Sequence, residues 1–214
     1  MTRRIGVFGG TFDPVHTAHV ALADTAMRHL RLDELRWVPA GNPWQKAGAG
    51  ISPAAEREAM VRAAIAGRTG HVLDARELGR TGPSYTADTL REIAAQQPGD
   101  ELFLVIGQDQ YERLHTWHDW REILRRCTLA VAARDAASFA VPESLAGVPH
   151  RVEHLPMPSM PVSATAVRAH IASGGRARDL VPDVVPAEVA SYIDRQHLYR
   201  PPSPPTPAPA EPRS

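Results

Sequence analysis

Residues 4–19 read RIGVFGGTFDPVHTAH, in which a short apolar run is followed by two glycines and a polar segment. We interpret residues 4–8 as a buried strand, because a short apolar run bounded by turn residues is typical of a strand covered on both faces. A helix is predicted over residues 17–30, where apolar side chains recur with helical spacing. This stretch therefore predicts a strand, a tight loop and a helix in direct succession.

The same alternation of strand and helix continues along the chain. Further strands are predicted at residues 35–38, 71–75, 101–106, 129–133 and 152–155, and further helices at 53–66, 86–95, 120–126, 163–173 and 186–196. Strands separated by helices require right-handed crossovers and a sheet covered on both faces. We therefore predict an α/β fold with a doubly wound, mostly parallel sheet, in which ligands bind beyond the carboxyl ends of the strands.

Composition limits the domain organisation and the class of protein. The 214 residues suffice for one domain, which we place at residues 1–200, and residues 201–214 contain seven prolines and are expected to form a disordered tail. Equal numbers of basic and acidic residues, 24 each, argue against a general nucleic-acid-binding protein. No apolar stretch approaches the roughly 20 residues of a membrane helix. The single cysteine, Cys127, excludes an internal disulfide, so a cytosolic location is expected.

The loop after the first predicted strand has the features of an anion site. Gly9 and Gly10 allow a sharp backbone turn and leave space for a bulky anion, and the following helix offers unpaired N–H groups. His16 and His19 are three residues apart, so both rings can donate to phosphate oxygens from one side of the helix. Two alternatives remain open at this point: a capped surface turn, and a metal site formed by Asp13 with both histidines.

A second candidate anion site follows the last predicted strand. Ser163 is suited to cap a helix, and Thr165 lies in the first turn of that helix. Arg168 lies three residues further on, and its forked guanidinium is suited to phosphate. The alternative is an ordinary capped helix with a solvated arginine, which would be favoured if this segment stood alone.

Three further segments suggest how a second substrate is recognised. Ser84, Tyr85 and Thr86 open a helix and offer hydroxyls and free amides to an anion. Asp109 ends the strongest predicted strand, where it can accept hydrogen bonds from a ribose. Trp117 can stack on a flat ring, although a core role for it is equally well supported.

Two of these segments resemble motifs of a known family. Residues 9–19 resemble the signature of the nucleotidyltransferase superfamily that carries a His-x-Gly-His element, with Ala18 in place of the glycine. Residues 163–168 resemble that superfamily's Ser-x-Thr-x-x-Arg element. The similarity is greatest to the nicotinic acid mononucleotide adenylyltransferase family, and it extends over residues 5–200.

The resemblance implies a Rossmann-like fold, a reaction and a set of residues. The reaction would transfer AMP from ATP, bound with Mg²⁺, to nicotinic acid mononucleotide, giving nicotinic acid adenine dinucleotide and pyrophosphate in NAD biosynthesis. The alternatives are another acceptor, such as nicotinamide mononucleotide or phosphopantetheine, and a non-catalytic nucleotide-binding module. The expected partners are the two substrates, and neither nucleic acid nor a membrane is expected. Formation of a homo-oligomer is left undecided. The implied residues are His16, His19, Lys46 and Arg168 for catalysis; Gly9, Gly10, Thr11, Phe12, His16, His19, Ser163, Thr165 and Arg168 for ATP; and Ser84, Tyr85, Thr86, Asp109, Trp117, His118 and Arg134 for the mononucleotide.

Overall fold

The computed structural model of the protein describes residues 2–41, 50–133 and 139–201. Two predicted site residues, Lys46 and Arg134, lie outside the described residues, and so does the Pro-rich segment from residue 202 onward. Every other residue that the sequence assigned to a site is described.

The strands form one parallel sheet, as the alternation of strands and helices predicted. They are β1 (Arg4–Gly10), β2 (Glu34–Pro39), β3 (His71–Leu73), β4 (Glu101–Gly107), β5 (Cys127–Ala133) and β6 (Val152–Pro156). Their order is β3-β2-β1-β4-β5-β6, and every neighbouring pair is parallel. The third strand was predicted to reach residue 75, but it ends at Leu73. The reason is that the carboxylate of Asp74 accepts the backbone N–H of Arg76 at 3.2 Å and turns the chain there.

Helices connect the strands close to the predicted boundaries. They are α1 (Thr17–His29), α2 (Ala54–Ile65), α3 (Thr86–Gln96), α4 (Gln108–Glu112), α5 (Trp120–Arg126), α6 (Ala164–Ala172) and α7 (Ala187–Gln196). The five-residue α4 was not predicted, because so short a helix contains too little of the 3.6-residue period to be recognised. None of the helices in the described part of the chain has the length and apolarity that a bilayer-spanning helix needs.

Two hydrophobic cores cover the two faces of the sheet. Phe8 and Trp37 belong to the core that also contains buried residues of α1, α2, α6 and α7. Ile5 and Val7 point to the other face, where they pack with buried residues of α3 and α5. The side chains of β1 alternate between the faces because successive residues of a strand point in opposite directions. Burial on both faces explains why the strands are almost continuously apolar.

The strand order determines where a ligand can bind. From β1 the chain proceeds outward through β2 and β3, and from β4 it proceeds outward through β5 and β6 on the other side. The connections after β1 and β4 therefore diverge, which leaves a crevice at the carboxyl ends of these two central strands. The residue 11–16 loop and the start of α4 border this crevice.

Candidate active site

The loop after β1 turns at Phe12 rather than at the two glycines. Phe12 has a φ of 51°, in the left-handed region, whereas neither Gly9 nor Gly10 has a positive φ. The expectation that the glycines make the sharp turn is therefore wrong. The Phe12 ring is only 2% exposed and packs edge-on against Phe8, with ring centroids 5.4 Å apart. Its side chain thus belongs to the core, and an ATP contact by Phe12 would have to come from its backbone.

The two glycines instead let other groups come close to the backbone. A Cβ on Gly10 would lie 2.8 Å from the Phe12 ring, so a larger residue would displace that ring. Gly9 is exposed, and the nearest atom to a Cβ placed there would be 4.0 Å away. The outer side of Gly9 therefore has room for a bulky group such as a phosphate.

The two histidines lie against each other at the start of α1. Their rings stack with centroids 3.7 Å apart, and the backbone N–H of His16 donates to Nδ1 of His19 at 3.2 Å. This bond makes Nδ1 of His19 an acceptor, so Nε2 carries the hydrogen of the neutral ring. Burial lowers the pKa of His16 to about 4, which keeps that ring uncharged at neutral pH. The pair can therefore offer N–H donors without two positive charges in contact.

Asp13 is bonded to three other parts of the chain. Its carboxylate accepts the hydroxyl of Tyr199 at 2.7 Å and the backbone N–H of Ser52 at 3.1 Å. Its backbone carbonyl accepts Nη1 of Arg168 at 2.6 Å. Across residues 2–41, 50–133 and 139–201, no three His, Cys, Asp or Glu side chains are grouped so as to hold a metal ion. The alternative of a metal site at Asp13, His16 and His19 is therefore not supported.

The second candidate anion site lies next to the first. Ser163 caps α6 as predicted, because its hydroxyl accepts the backbone N–H of Ala166 at 3.2 Å. Arg168 bonds to the carbonyl of Asp13 and lies 3.4 Å from the hydroxyl of Thr165. The structure therefore brings Arg168 to the loop that carries His16. Binding of ATP by these residues stays a prediction.

Arg57 has a structural position that the sequence did not indicate. The side chain of this arginine in α2 is only 2% exposed, although arginine is usually found at the surface. Its guanidinium donates to the backbone carbonyls of Ser52, Thr11 and Gly41 at 3.1, 3.1 and 3.2 Å. These bonds direct its guanidinium into the protein interior. Arg57 therefore joins the loop after β1 to the connection between β2 and α2.

The residues predicted to bind the mononucleotide lie in two separate regions of the structure. Tyr85 and His118 come from separate loops, and their rings stack with centroids 4.2 Å apart. Trp117 is half-buried and packs against the core that includes α3 and α5. Thr86 is the first residue of α3. Ser84 is buried and its hydroxyl accepts the backbone N–H of Gly41 at 3.1 Å, so this hydroxyl is used within the protein.

Asp109 lies in a different place from that group. It borders a cavity of about 540 Å³ together with Ala18 of α1, Ala132 of β5 and Ser159, which follows β6. No residue of the Tyr85 and His118 group lines this cavity. The segment from Met157 to Met160, which also lines it, was not singled out from the sequence, since nothing in its residue types marks a site.

Comparison with known proteins identifies the family. The sequence profile of the family described as Cytidylyltransferase-like matches residues 7–170, from β1 into α6. Over 200 residues the chain is 60% identical to a protein of Methylibium petroleiphilum named "probable nicotinate-nucleotide adenylyltransferase", and the match covers 94% of each chain. The chain belongs to the nicotinate-nucleotide adenylyltransferase family. A relative of the same name from Albidiferax ferrireducens is 47% identical, with 92% of this chain and 98% of the relative covered.

The fold of this adenylyltransferase-family chain is also found among solved structures. A Plasmodium falciparum nicotinic acid mononucleotide adenylyltransferase, complexed with NaAD, matches with a TM-score of 0.74 at 17% identity. The match covers 92% of this chain and 97% of the other. At that identity the likeness concerns the fold, and it agrees with the predicted Rossmann-like nucleotidyltransferase architecture.

Proposed function

We propose that this protein transfers AMP from ATP to nicotinic acid mononucleotide, forming nicotinic acid adenine dinucleotide and releasing pyrophosphate in NAD biosynthesis. Family membership supports the reaction. The structural observation that carries the mechanism is the 2.6 Å bond between Arg168 and the Asp13 carbonyl. This bond brings a cationic side chain from α6 to the loop that leads into α1, and we propose that a triphosphate bound at this loop meets donors from both elements.

The reaction needs no nucleophilic side chain, because the phosphate of the mononucleotide is itself the nucleophile. One of its oxygens attacks the α-phosphorus of ATP, the bond between the α-phosphorus and the bridging oxygen breaks, and pyrophosphate leaves with the electron pair. His16, His19 and Arg168 stabilise the charge that grows on the leaving phosphates, and Lys46 is proposed to join them. Mg²⁺ accompanies ATP, held by phosphate oxygens and water.

The mononucleotide is assigned to the two places at the sheet edge. Its ribose is proposed to enter the cavity beside Ala18 and Asp109, since the Asp109 carboxylate can accept hydrogen bonds from ribose hydroxyls. The nicotinate ring lies near Tyr85, Trp117 and His118, with its carboxylate on the amides that open α3. Arg134 is proposed to contact the mononucleotide phosphate.

We also propose a cellular location and domain boundaries for this protein. Cys127 is fully buried in β5, and burial raises the pKa of its thiol to about 12, so it is neither a nucleophile nor a partner for a disulfide. This fits a reducing compartment, and we place the protein in the cytosol. Residues 1–200 form the catalytic domain in this proposal, with residues 201–214 as a tail.

An acceptor comparison tests the function directly. The purified protein is incubated with ATP, Mg²⁺ and one acceptor at a time: nicotinic acid mononucleotide, nicotinamide mononucleotide or phosphopantetheine. Pyrophosphate release is followed, and the dinucleotide is identified by chromatography. We expect the acid mononucleotide to give the highest kcat/KM, because amide N–H groups favour a carboxylate over a neutral amide. ATP binding without pyrophosphate from any acceptor would instead identify a non-catalytic nucleotide-binding module.

A further inference from the structure

The segment that follows α7 reaches back to the loop after β1, and the proposed mechanism does not use it. Tyr199 in this segment packs against the core that includes α1 and α7. Its hydroxyl donates to Oδ1 of Asp13 at 2.7 Å, and Asp13 is only 4% exposed. The sulfur of Met60 lies 3.6 Å from the same hydroxyl and is a weaker acceptor, so the single hydrogen goes to the carboxylate.

The backbone around Tyr199 has an unfavourable conformation. Tyr199 has a φ of 64°, and His197, two residues earlier, has a φ of 54°. The left-handed region is uncommon for residues other than glycine, and a bulky aromatic residue is rarely found there. Such a conformation persists only where the surrounding contacts fix it. The fold therefore accepts an unfavourable backbone in the segment that brings the Tyr199 hydroxyl to Asp13.

Asp13 connects this hydroxyl to Arg168. The two carboxylate oxygens of Asp13 are held separately, Oδ1 by Tyr199 and Oδ2 by the backbone N–H of Ser52 at 3.1 Å. The backbone carbonyl of the same residue accepts Nη1 of Arg168 at 2.6 Å. The side chain of Asp13 cannot rotate without losing one of its two bonds, and this restrains the direction of its carbonyl. The orientation of Arg168 therefore depends on a bond from the segment after α7.

The start of α1 is held by a nearby part of the chain through other bonds. The backbone N–H of Thr17 donates to the carbonyl of Val184 at 3.0 Å, and the Thr17 hydroxyl donates to the carbonyl of Asp183 at 2.8 Å. Neither bond involves Tyr199. Loss of the tyrosine hydroxyl should therefore release the Asp13 carboxylate while the start of α1 stays in place.

We propose that Tyr199 is a positioning residue for ATP: by holding the Asp13 carboxylate, it fixes the carbonyl that orients Arg168 toward the triphosphate. This inference rests on the proposed function, which gives Arg168 to the phosphates of ATP. The Tyr199 hydroxyl is used by Asp13 and is not offered to a substrate. Its loss should therefore weaken the use of ATP and leave the mononucleotide unaffected.

Tyr199→Phe tests the inference, because it removes the hydroxyl and keeps the ring that packs against the core. We expect kcat/KM for ATP to fall about fivefold to tenfold, as for loss of one hydrogen bond to a charged group. KM for nicotinic acid mononucleotide, measured at saturating ATP, should stay within about twofold of the natural value. Calorimetric titration with ATP and Mg²⁺ alone should show weaker binding than in the natural protein.

A double variant tests whether Tyr199 acts through Arg168. Arg168→Met removes the guanidinium and keeps an unbranched side chain. In this background, Tyr199→Phe should change kcat/KM for ATP by less than about twofold, because the group that the tyrosine positions is already absent. An equal effect of Tyr199→Phe with and without Arg168 would overturn the proposal.

Tyr192→Phe is the matched control. Tyr192 lies on α7, and its hydroxyl donates to the carboxylate of Glu56 on α2 at 2.8 Å. This variant also removes a bond between a tyrosine and a carboxylate near the end of the chain, but at a place away from the loop after β1. It should leave kcat/KM for both substrates unchanged. A matching fall in kcat/KM for ATP in Tyr192→Phe would assign the effect to general destabilisation and overturn the positioning role.

The measurements separate this inference from the proposed function. Unchanged kinetics and unchanged ATP binding in Tyr199→Phe would show that the bond to Asp13 has only a structural role. Absence of pyrophosphate release with nicotinic acid mononucleotide in the natural protein would overturn the proposed function. The calorimetric comparison would still test Tyr199 in that case, because it needs no acceptor.

Discussion

Lowering the pH from 7.5 to 4.5 should destabilise this protein partly through one side chain, His16. Its ring is 8% exposed, and burial lowers its pKa to about 4. An imidazole in the unfolded chain titrates near 6.5. Between these two values the unfolded chain binds a proton that the folded protein excludes. The stability that His16 contributes is therefore fully present above pH 6.5 and is lost as the pH falls toward 4.

The magnitude follows from the gap between the two pKa values, about 6.5 less about 4, or roughly 2.5 pH units. At about 1.4 kcal/mol per unit, the complete loss is about 3 kcal/mol, and most of it is reached by pH 4.5. A loss of this size is a large part of the free energy of unfolding of an ordinary domain, which is about 5–15 kcal/mol. It should be visible in an equilibrium unfolding experiment.

The assay is urea unfolding at pH 7.5 and pH 4.5, performed on the natural protein and on His16→Gln. Glutamine keeps a side-chain N–H but does not titrate, so carboxylates that titrate in both proteins cancel when the two pH effects are subtracted. The natural protein should lose about 2–3 kcal/mol more than the variant over this interval. His29→Gln, which removes an exposed imidazole at the other end of α1, serves as the control. An equal loss in the natural protein and in His16→Gln would refute the argument that His16 is buried uncharged.

Three further changes probe the site. Arg57→Met should lower the free energy of unfolding by about 3–5 kcal/mol, because three partly buried carbonyls lose a charged donor, and a loss under about 1 kcal/mol in urea unfolding would contradict this. Tyr199→Phe should lower the free energy of unfolding by about 1–2 kcal/mol, because it removes the hydroxyl that donates to Asp13. A thermal midpoint equal to that of the natural protein would show that this bond contributes nothing to stability. His19→Ala should lower turnover about 100-fold, whereas His29→Ala should leave turnover unchanged; near-full turnover in the His19 variant would remove His19 from the mechanism.

Features that depend on neighbouring residues could be predicted from the sequence. The order of strands and helices follows from the spacing of apolar residues, because this spacing repeats every two residues in a strand and every three to four residues in a helix. The Ser163 cap was predictable because the hydroxyl and the N–H that it accepts are only three residues apart. The end of β3 was missed although its cause is local: the Asp74 carboxylate accepts the backbone N–H of Arg76, two residues further on, and this bond ends the strand.

The sequence by itself determined the parallel α/β architecture and the two motifs that mark the reaction, since periodicity, caps and motif spacing are properties of contiguous residues. Only the tertiary structure decided that Arg57 is buried and joins two loops, and that Asp109 lies apart from Tyr85 and His118. The physical reason is that burial and hydrogen-bond partners come from segments far apart in the chain. Tyr199 and Asp13, for example, are bonded across 186 residues.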